Sequence, residues 1–306
     1  MQRRDFVRSA AGAALSVAGL NFKLAHGESG KKFRFVHFTD LHLKPEDGAE
    51  QGVLKAVAAV NALSPSPDFV ITGGDLVADA LAVDFERADM LFKLYQKCMD
   101  QLDCPVYHAI GNHDILGWYP KSNVAESHPE YGKKMFAGRL GGGRTWNSFD
   151  HKGWHFVILD SLEWDQEEEN YMGLICDEQL AWLRSDLAGV DRHTPIAVVT
   201  HIPFVSIVEQ VRLGANAALN RQIGITNSLE VLELFKDRNL QLVMQGHLHR
   251  DEQLRLEGCK FVMSGAICGR WWAGANLATE EGFGVLDVDG ADVQYSYHDY
   301  GWEVRK

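Results

Sequence analysis

Short apolar runs alternate with amphipathic stretches along most of this chain. The runs are five to seven residues long and rich in Val, Ile, Leu and Phe, which is typical of buried strands. The predicted strands are residues 33–39, 68–72, 105–110, 154–159, 196–200, 240–244 and 260–264. Apolar residues at helical spacing predict helices at residues 52–63, 83–101, 177–187 and 227–238. This alternation indicates an α/β fold with largely parallel strands.

The C-terminal part departs from this alternation. Residues 284–288 and 293–298 flank Asp289-Gly290, which predicts a β-hairpin, expected in a second, mixed sheet packed against the first. Residues 116–144 and the acidic run 163–170 are interpreted as insertions, and residues 167–169 within that run are interpreted as a solvated face. Without a repeat or a low-complexity linker, residues 32–306 are predicted to form a single domain.

The N-terminal segment resembles an export signal. Arg3 and Arg4 precede a modest apolar run and then a stretch of small residues, the layout of a twin-arginine signal over residues 1–27. The alternative is an ordinary amphipathic helix. The apolar run of residues 10–20 is too short to cross a bilayer, so stable membrane insertion is not expected. The predicted location is periplasmic or secreted.

The charge balance restricts the partners. The formal net charge is -12 and no cluster of Lys and Arg appears, so nucleic-acid polymers are not expected to bind, whereas a small phosphoester remains a candidate. The five cysteines are irregularly spaced and form no CxxC pair, so neither a disulfide framework nor a thiolate metal site is indicated. Cys98 and Cys104 could pair, although free thiols are favoured. The sequence gives no indication of the oligomeric state.

Five of the predicted strands end in residues that can bind metal ions. In an open α/β sheet the crevice beyond the carboxyl ends of the strands is where ligands bind, so strands of one parallel sheet would bring these residues together. In chain order the candidates are Asp40 and His42, then Asp75, then Asn112, His113 and Asp114, then His201, and finally His247 and His249.

The residue types and spacing favour two ions. In Asp40-x-His42 and His247-x-His249, both side chains of each pair project to the same side of an extended backbone. Oxygen and imidazole ligands without thiolate suit Mn, Fe or Zn. The set is too large for one tetrahedral ion, which indicates two divalent or trivalent ions sharing Asp75.

The ordered motifs DLH, GGD, GNHD, TH and GHLH resemble the calcineurin-like metallophosphoesterase superfamily over residues 33–249. The resemblance implies a two-sheet β-sandwich flanked by helices. It also implies hydrolysis of a phosphate mono- or diester by a water that two metal ions activate. The implied ligands of one ion are Asp40, His42, Asp75 and His249, and those of the other are Asp75, Asn112, His201 and His247.

The resemblance also implies a role for His113, which would contact the substrate and protonate the leaving oxygen, with Asp114 orienting its ring. Purple acid phosphatases have a tyrosine three residues after the bridging aspartate, where this chain has Ala78. The pattern is closer to bacterial phosphoesterases and class III cyclic-nucleotide phosphodiesterases.

Two other functions fit parts of the sequence. One is a non-catalytic binding module on the same scaffold, and the other is a metallohydrolase of amides or other esters, although no HExxH motif is present. The role of Trp271 and Trp272 also stays open. They could stack a base or a sugar while Arg270 reaches a phosphate, or they could seal the gap between the sheets.

Overall fold

The computed structural model describes residues 31–304, so the predicted export signal lies outside the described residues. Its strands are β1 (Phe33–Phe38), β2 (Phe69–Thr72), β3 (Val106–Tyr107), β4 (Asn147–His151), β5 (Trp154–Ile158), β6 (Leu162–Asp165), β7 (Asn170–Gly173), β8 (Pro195–Val199), β9 (Asn239–Gln245), β10 (Glu252–Leu256), β11 (Cys259–Met263), β12 (Gly282–Asp289) and β13 (Asp292–Asp299). Its helices are α1 (Ala49–Asn61), α2 (Phe85–Met99), α3 (Lys134–Arg139), α4 (Asp177–Ala188), α5 (Val208–Leu213) and α6 (Ser228–Glu233).

The strands form two large sheets and one small hairpin. The first sheet has the order β13-β12-β1-β2-β3, the second has the order β10-β11-β9-β8-β5-β4, and β6 pairs with β7 alone. In the first sheet β1, β2 and β3 are parallel, and in the second β5, β8, β9 and β11 are parallel. The architecture is therefore the α/β fold with two mixed sheets that the sequence indicates.

Both faces of the central strands are apolar, which explains their continuous hydrophobic runs. On β1, Phe33 and Phe35 belong to the apolar core between the sheets, whereas Val36 and Phe38 belong to the larger core that packs under the helices. Because successive side chains of a strand point to opposite faces, a strand covered on both sides is apolar on both faces and not only at alternate positions.

The helices cover this outer core. On α1, the buried residues Val53, Ala56, Val57 and Val60 follow the spacing of one helical face. Helix α2 begins at the N-cap Asp84, whose carboxylate accepts a hydrogen bond of 2.8 Å from the amide of Arg87. This bond satisfies one of the amide groups that a helix start leaves free.

One condition and one expectation about the sheets are not met. The strands that precede the five motifs lie in two sheets, not one, because β8 and β9 pair with β5 and β11 and not with β1–β3. The C-terminal hairpin forms as predicted, but β12 pairs antiparallel with β1 and so extends the first sheet.

Some boundaries also differ for local reasons. The strand predicted at residues 105–110 is reduced to β3, since the amide of Ala109 bonds to the Thr72 hydroxyl and not to a neighbouring backbone. The helix predicted at residues 227–238 ends early, where Phe235 and Lys236 make the tighter bonds of successive turns. The acidic run of residues 163–170 lies in the β6–β7 hairpin.

Candidate metal centre

The predicted metal ligands converge, although they come from two sheets. Each follows the carboxyl end of β1, β2, β3, β8 or β9, and these ends meet at one edge of the sandwich. The backbone connects the two sheets there, because the amide of Ile267, which follows β11, donates to the carbonyl of Thr39, which follows β1. Six of the seven ligands are buried, and His247 is partly exposed.

The backbone turns sharply at this edge. Five of the ligands adopt left-handed φ values, a conformation that costs free energy for residues other than glycine and concentrates at functional sites: Asp40 (53°), His42 (40°), Asp75 (52°), His247 (74°) and His249 (52°). The close approach requires glycine next to the ligands. A Cβ atom on Gly111 would lie 2.0 Å from the backbone nitrogen of Asp75.

One group of donors surrounds His42. Its Nε2 atom lies 3.1 Å from Nε2 of His249 and 3.5 Å from Oδ2 of Asp75. Nε2 of His249 lies 3.3 Å from Oδ1 of Asp40. These are the four ligands that the family resemblance assigns to one ion.

The second group surrounds His201. Its Nε2 atom lies 3.2 Å from Oδ2 of Asp75, 3.0 Å from Oδ1 of Asn112 and 3.2 Å from Nδ1 of His247. The same carboxylate oxygen of Asp75 therefore faces both groups, which is the arrangement that a bridging ligand requires.

These separations fit cations. Two ligand atoms that are each about 2.1 Å from one ion lie about 3.0–3.4 Å apart at ordinary coordination angles. The contact between the two Nε2 atoms of His42 and His249 is a hydrogen bond in some tautomers, but with both Nδ1 atoms protonated it brings two Nε2 lone pairs together. A cation between them uses both.

Backbone carbonyls orient two of the histidines from behind. Nδ1 of His201 lies 2.7 Å from the carbonyl oxygen of Gly73, and Nδ1 of His249 lies 2.8 Å from that of Gly269. Such bonds leave Nε2 free for a metal. Within residues 31–304, buried Nδ1 of His42 has no hydrogen-bond partner. Cys268, which the sequence did not suggest, lies with its Sγ 3.9 Å from Nδ1 of His249.

The electrostatics of the cluster favour metal binding. Although burial favours the neutral acid, the charges of His201 and His113 hold the pKa of Asp75 well below its ordinary value. Burial lowers the pKa of His247 to about 3. For His201, the carboxylate of Asp75 outweighs burial and raises the pKa to about 9. The negative charge that favours a proton on His201 would equally favour a metal cation at the same position. Anionic carboxylates and neutral imidazoles are the forms that bind metals.

His113 lies beside the donors, and its ring faces the carboxylate of Asp79 and not that of Asp114. Its side chain is 23% exposed, and its Nδ1 lies 3.8 Å from Oδ1 of Asp79. Burial opposes the charged form, but Asp75 and then Asp79 raise the pKa of His113 above its ordinary value. The sequence missed Asp79 because it lies outside the GNHD motif.

Asp114, which was expected to orient the His113 ring, has its hydrogen-bond partners in the backbone. The carboxylate of Asp114 accepts hydrogen bonds from three backbone amides, those of Leu76 (2.8 Å), Val77 (3.1 Å) and Gly111 (2.8 Å). It therefore fixes the two loops that follow β2 and β3. Burial and then the charge of Asp75 raise the pKa of Asp114 to about 7.

Aromatic residues flank the donors on two sides. Trp271 stacks on His42 with ring centroids 3.7 Å apart, and the ring of Tyr171 on β7 stands perpendicular to that of His247 at 6.1 Å. Trp272, by contrast, is buried. The side chain of Arg270 is exposed, and its one hydrogen bond within the described part of the chain goes to the carbonyl of Ala273.

Buried carboxylate and imidazole donors, held where two packed sheets end, are typical of a metallohydrolase. The sequence profile described as calcineurin-like phosphoesterase matches residues 33–251. The chain belongs to this family. It is a metallophosphoesterase, a hydrolase of phosphoric ester bonds, from a family that uses divalent metals.

Individual relatives agree with this assignment. A probable cyclic nucleotide phosphodiesterase from Synechococcus sp. is 26% identical over 223 residues, which cover 70% of this chain and 72% of that protein. Another from Rhodococcus erythropolis is 21% identical over 243 residues, 78% of this chain and 71% of that protein. The crystal structure of a dimetal phosphatase from Danio rerio has the same fold, with a TM-score of 0.59 at 14% identity over 88% of this chain and 99% of that one.

No helix within residues 31–304 is both long enough and apolar enough to cross a bilayer.

Proposed function

We propose that this protein hydrolyses a phosphate mono- or diester at two metal ions, with His113 donating a proton to the leaving oxygen. The observation that carries this proposal is the position of Asp75, whose Oδ2 lies 3.5 Å from Nε2 of His42 and 3.2 Å from Nε2 of His201. A single oxygen that faces two separate donor groups is suited to join two ions.

The two donor groups divide the ligands. Asp40, His42 and His249 would hold one ion together with Asp75, and Asn112, His201 and His247 would hold the other with the same carboxylate. Bound Mn, Fe or Zn would supply positive charge against the phosphoryl group and a water of lowered pKa. The mixture of oxygen and nitrogen donors does not select among these metals.

The chain itself positions the reacting groups. The amide of His113 donates a hydrogen bond of 2.8 Å to Oδ1 of Asp75, so the backbone ties the proposed acid to the bridging residue. The His113 ring lies edge-on to the His42 ring at 4.9 Å and is partly exposed, a position from which it can reach a bound ester. Asp79 faces Nδ1, which leaves Nε2 to donate the proton.

The ligand set suits monoesters and diesters alike. The names of the Synechococcus and Rhodococcus relatives support including cyclic nucleotides among the candidate diesters. The net charge of -12 favours a small phosphoester over a nucleic-acid polymer.

The test is a panel of phosphate monoesters, diesters, cyclic nucleotides and phospholipid headgroups, assayed with protein of measured metal content. We expect hydrolysis of at least one class, its loss on chelation, and its recovery with added Mn²⁺ or Zn²⁺. His113→Ala is expected to lower kcat by about 10²–10⁴-fold while metal content stays constant. Cleavage of amides alone, or binding without turnover by the metal-loaded protein, would reject the proposal.

We also propose that residues 1–27 direct export of the folded protein. The proposal rests on Arg3 and Arg4 ahead of a short apolar run. A fusion of this segment to a reporter should reach the periplasm through the twin-arginine route, and the Arg3→Lys, Arg4→Lys double variant should stay in the cytoplasm. Unchanged export of the double variant would contradict it.

A further inference from the structure

The turn after β11 contains two adjacent tryptophans in contrasting environments. Trp272 is 2% exposed, and its Nε1 donates to the carbonyl oxygens of Leu41 and His42, each at 3.1 Å. Its ring packs so closely on helix α1 that a Cβ atom on Gly52 would lie 2.1 Å from it. Trp272 therefore anchors the turn to the segment that carries the ligand His42.

Trp271 occupies the mouth of the metal centre. Its ring centroid lies 3.7 Å from that of His42, 5.0 Å from that of His113 and 5.9 Å from that of His249. The contact with His42 is tilted by 34°, so one face of the indole covers the imidazole. This single side chain thus contacts two metal ligands and the proposed acid.

The backbone holds Trp271 in this position at a cost. Its φ is +55°, a value that a bulky side chain rarely adopts and that persists only where the surroundings enforce it. The hydrogen bonds from the amide of Trp272 to the carbonyl of Cys268 (2.7 Å) and from the amide of Cys268 to that of Asp40 (3.3 Å) provide this enforcement. The indole is therefore pre-positioned beside the donors.

The rest of the indole is free. Trp271 remains 43% exposed although one face lies against His42. Its Nε1 makes no hydrogen bond with any residue that the structure describes, and the aromatic rings packed on it there are the three histidines alone. An exposed indole face beside a buried polar cluster is a surface on which a planar group can stack.

We propose that Trp271 is a substrate-contacting residue that makes the site prefer phosphoesters in which the esterified alcohol carries a planar ring, such as a nucleoside. This inference rests on the proposed function, because His113 places the leaving oxygen next to the indole. The ring of the alcohol then stacks on the free face of Trp271 while the phosphoryl group occupies the metal centre.

The test uses two ligands that share a phosphoryl group and a sugar and differ only in the base. Adenosine 5′-phosphate and ribose 5-phosphate are titrated into the metal-loaded protein by calorimetry, and hydrolysis of both is measured separately. We expect wild type to bind the nucleotide about 10-fold or more tightly than the sugar phosphate, as base–aromatic stacking typically gives. Trp271→Ala should abolish this difference, and Trp271→Phe should keep most of it.

Leu277→Ala serves as the matched control, since it removes an apolar side chain that is 69% exposed from the same segment. It should leave both affinities unchanged. Equal affinity of wild type for the two ligands would overturn the proposal. So would an equal loss for both in Trp271→Ala, with or without loss of metal, since the indole would then act only on His42.

The two proposals fail separately. If wild type hydrolyses no phosphoester but binds the nucleotide in a Trp271-dependent manner, the proposed reaction fails and the stacking site stands. If wild type hydrolyses both esters and Trp271→Ala raises KM only for the nucleotide, both proposals are supported. If it hydrolyses both esters and Trp271→Ala lowers their kcat/KM by the same factor, only the reaction stands.

Discussion

The two ends of strand β1 differ in the residues that they bury: the start is packed among aromatic rings, and the end leads into charged and polar groups. At its start, Phe33 and Phe35 enter an aromatic core between the sheets, where Phe35 stacks on Phe69 at 5.0 Å and both meet the edge of Phe156. At its end, Asp40 enters a buried cluster of carboxylates and imidazoles. The first end needs no ligand to be stable, since apolar burial is favourable by itself.

The metal end is costly to the folded protein. It buries polar groups at close range, uses left-handed backbone at five ligands, and leaves Nδ1 of His42 without a partner within residues 31–304. Each of these features costs free energy, and a bound ion would offset the cost of the buried donors. The aromatic core therefore stabilises the fold, and the metal end serves the reaction. Substitutions in the core should lower the free energy of unfolding, and substitutions at the metal end should lower activity.

The largest effect is expected for Asp75→Asn. Asparagine keeps an acceptor for the amide of His113 but loses the shared charge, so metal content should fall below two ions and kcat/KM by more than about 10³-fold. Elemental analysis and steady-state kinetics measure both, and circular dichroism should report an intact fold. Full activity in this variant would remove the bridging role.

Phe69→Ala addresses the other end. Removing this ring is expected to lower the free energy of unfolding by about 3–5 kcal/mol, while activity per folded molecule at low temperature stays within about twofold. Urea denaturation gives the first quantity. Leu229→Ala, at a side chain that is 78% exposed, is the control and should change stability by less than about 0.5 kcal/mol. A stable but inactive Phe69→Ala protein would undo the separation of roles.

A smaller effect is expected for Asp79→Asn. Because Asp79 helps to raise the pKa of His113, its loss should lower that pKa and move the alkaline limb of the kcat profile to lower pH. We expect kcat to fall by about 10–100-fold, part of what a general acid supplies, at unchanged metal content. Asp47→Asn, at a carboxylate that is 57% exposed, is the control. If the pH profile of kcat did not shift, Asp79 would not be the residue that raises the pKa of His113.

The smallest effect on the free energy of unfolding is expected at His155, which lies on β5 of the second sheet and is not one of the predicted metal ligands. Its Nδ1 lies 2.8 Å from Asp150 and its Nε2 lies 2.9 Å from Asp186 on α4. Burial opposes the charged form, but the bonds to Asp186 and Asp150 raise the pKa of His155 above 6.5. A raised pKa stabilises the fold fully below 6.5, and this contribution is lost as the pH rises through the folded-state pKa.

The variant His155→Gln should therefore cost about 1.5–3 kcal/mol of unfolding free energy at pH 5.5 and less at alkaline pH, without effect on kcat. Thermal unfolding across this pH range measures the difference between variant and wild type. If the difference in unfolding free energy between wild type and variant grew as the pH rose, His155 would not stabilise the fold in its charged form.

The same contrast explains what the sequence could reveal. The apolar runs predicted the central strands because both of their faces are buried, and the motif at each strand end identified the donors because carboxyl ends of parallel strands converge. The pairing of β8 and β9 in a separate sheet could not be predicted, since a continuous apolar run does not specify its neighbours.

The sequence also could not predict the directions of individual side chains. Asp114 is adjacent to His113 in sequence, but a short 3₁₀ turn directs its carboxylate to backbone amides, whereas Asp79 approaches from the loop after β2. Trp271 and Trp272 both adopt left-handed backbone angles, which the sequence does not encode at a tryptophan, so their different environments could not be predicted.

The central claim is that Asp75 joins two ions, and anomalous diffraction from crystals of the metal-loaded enzyme tests it most directly. We predict two peaks, one between Asp40, His42 and His249 and one between Asn112, His201 and His247, with Oδ2 of Asp75 bound to both. A single peak, or two peaks that do not share this oxygen, would contradict the account.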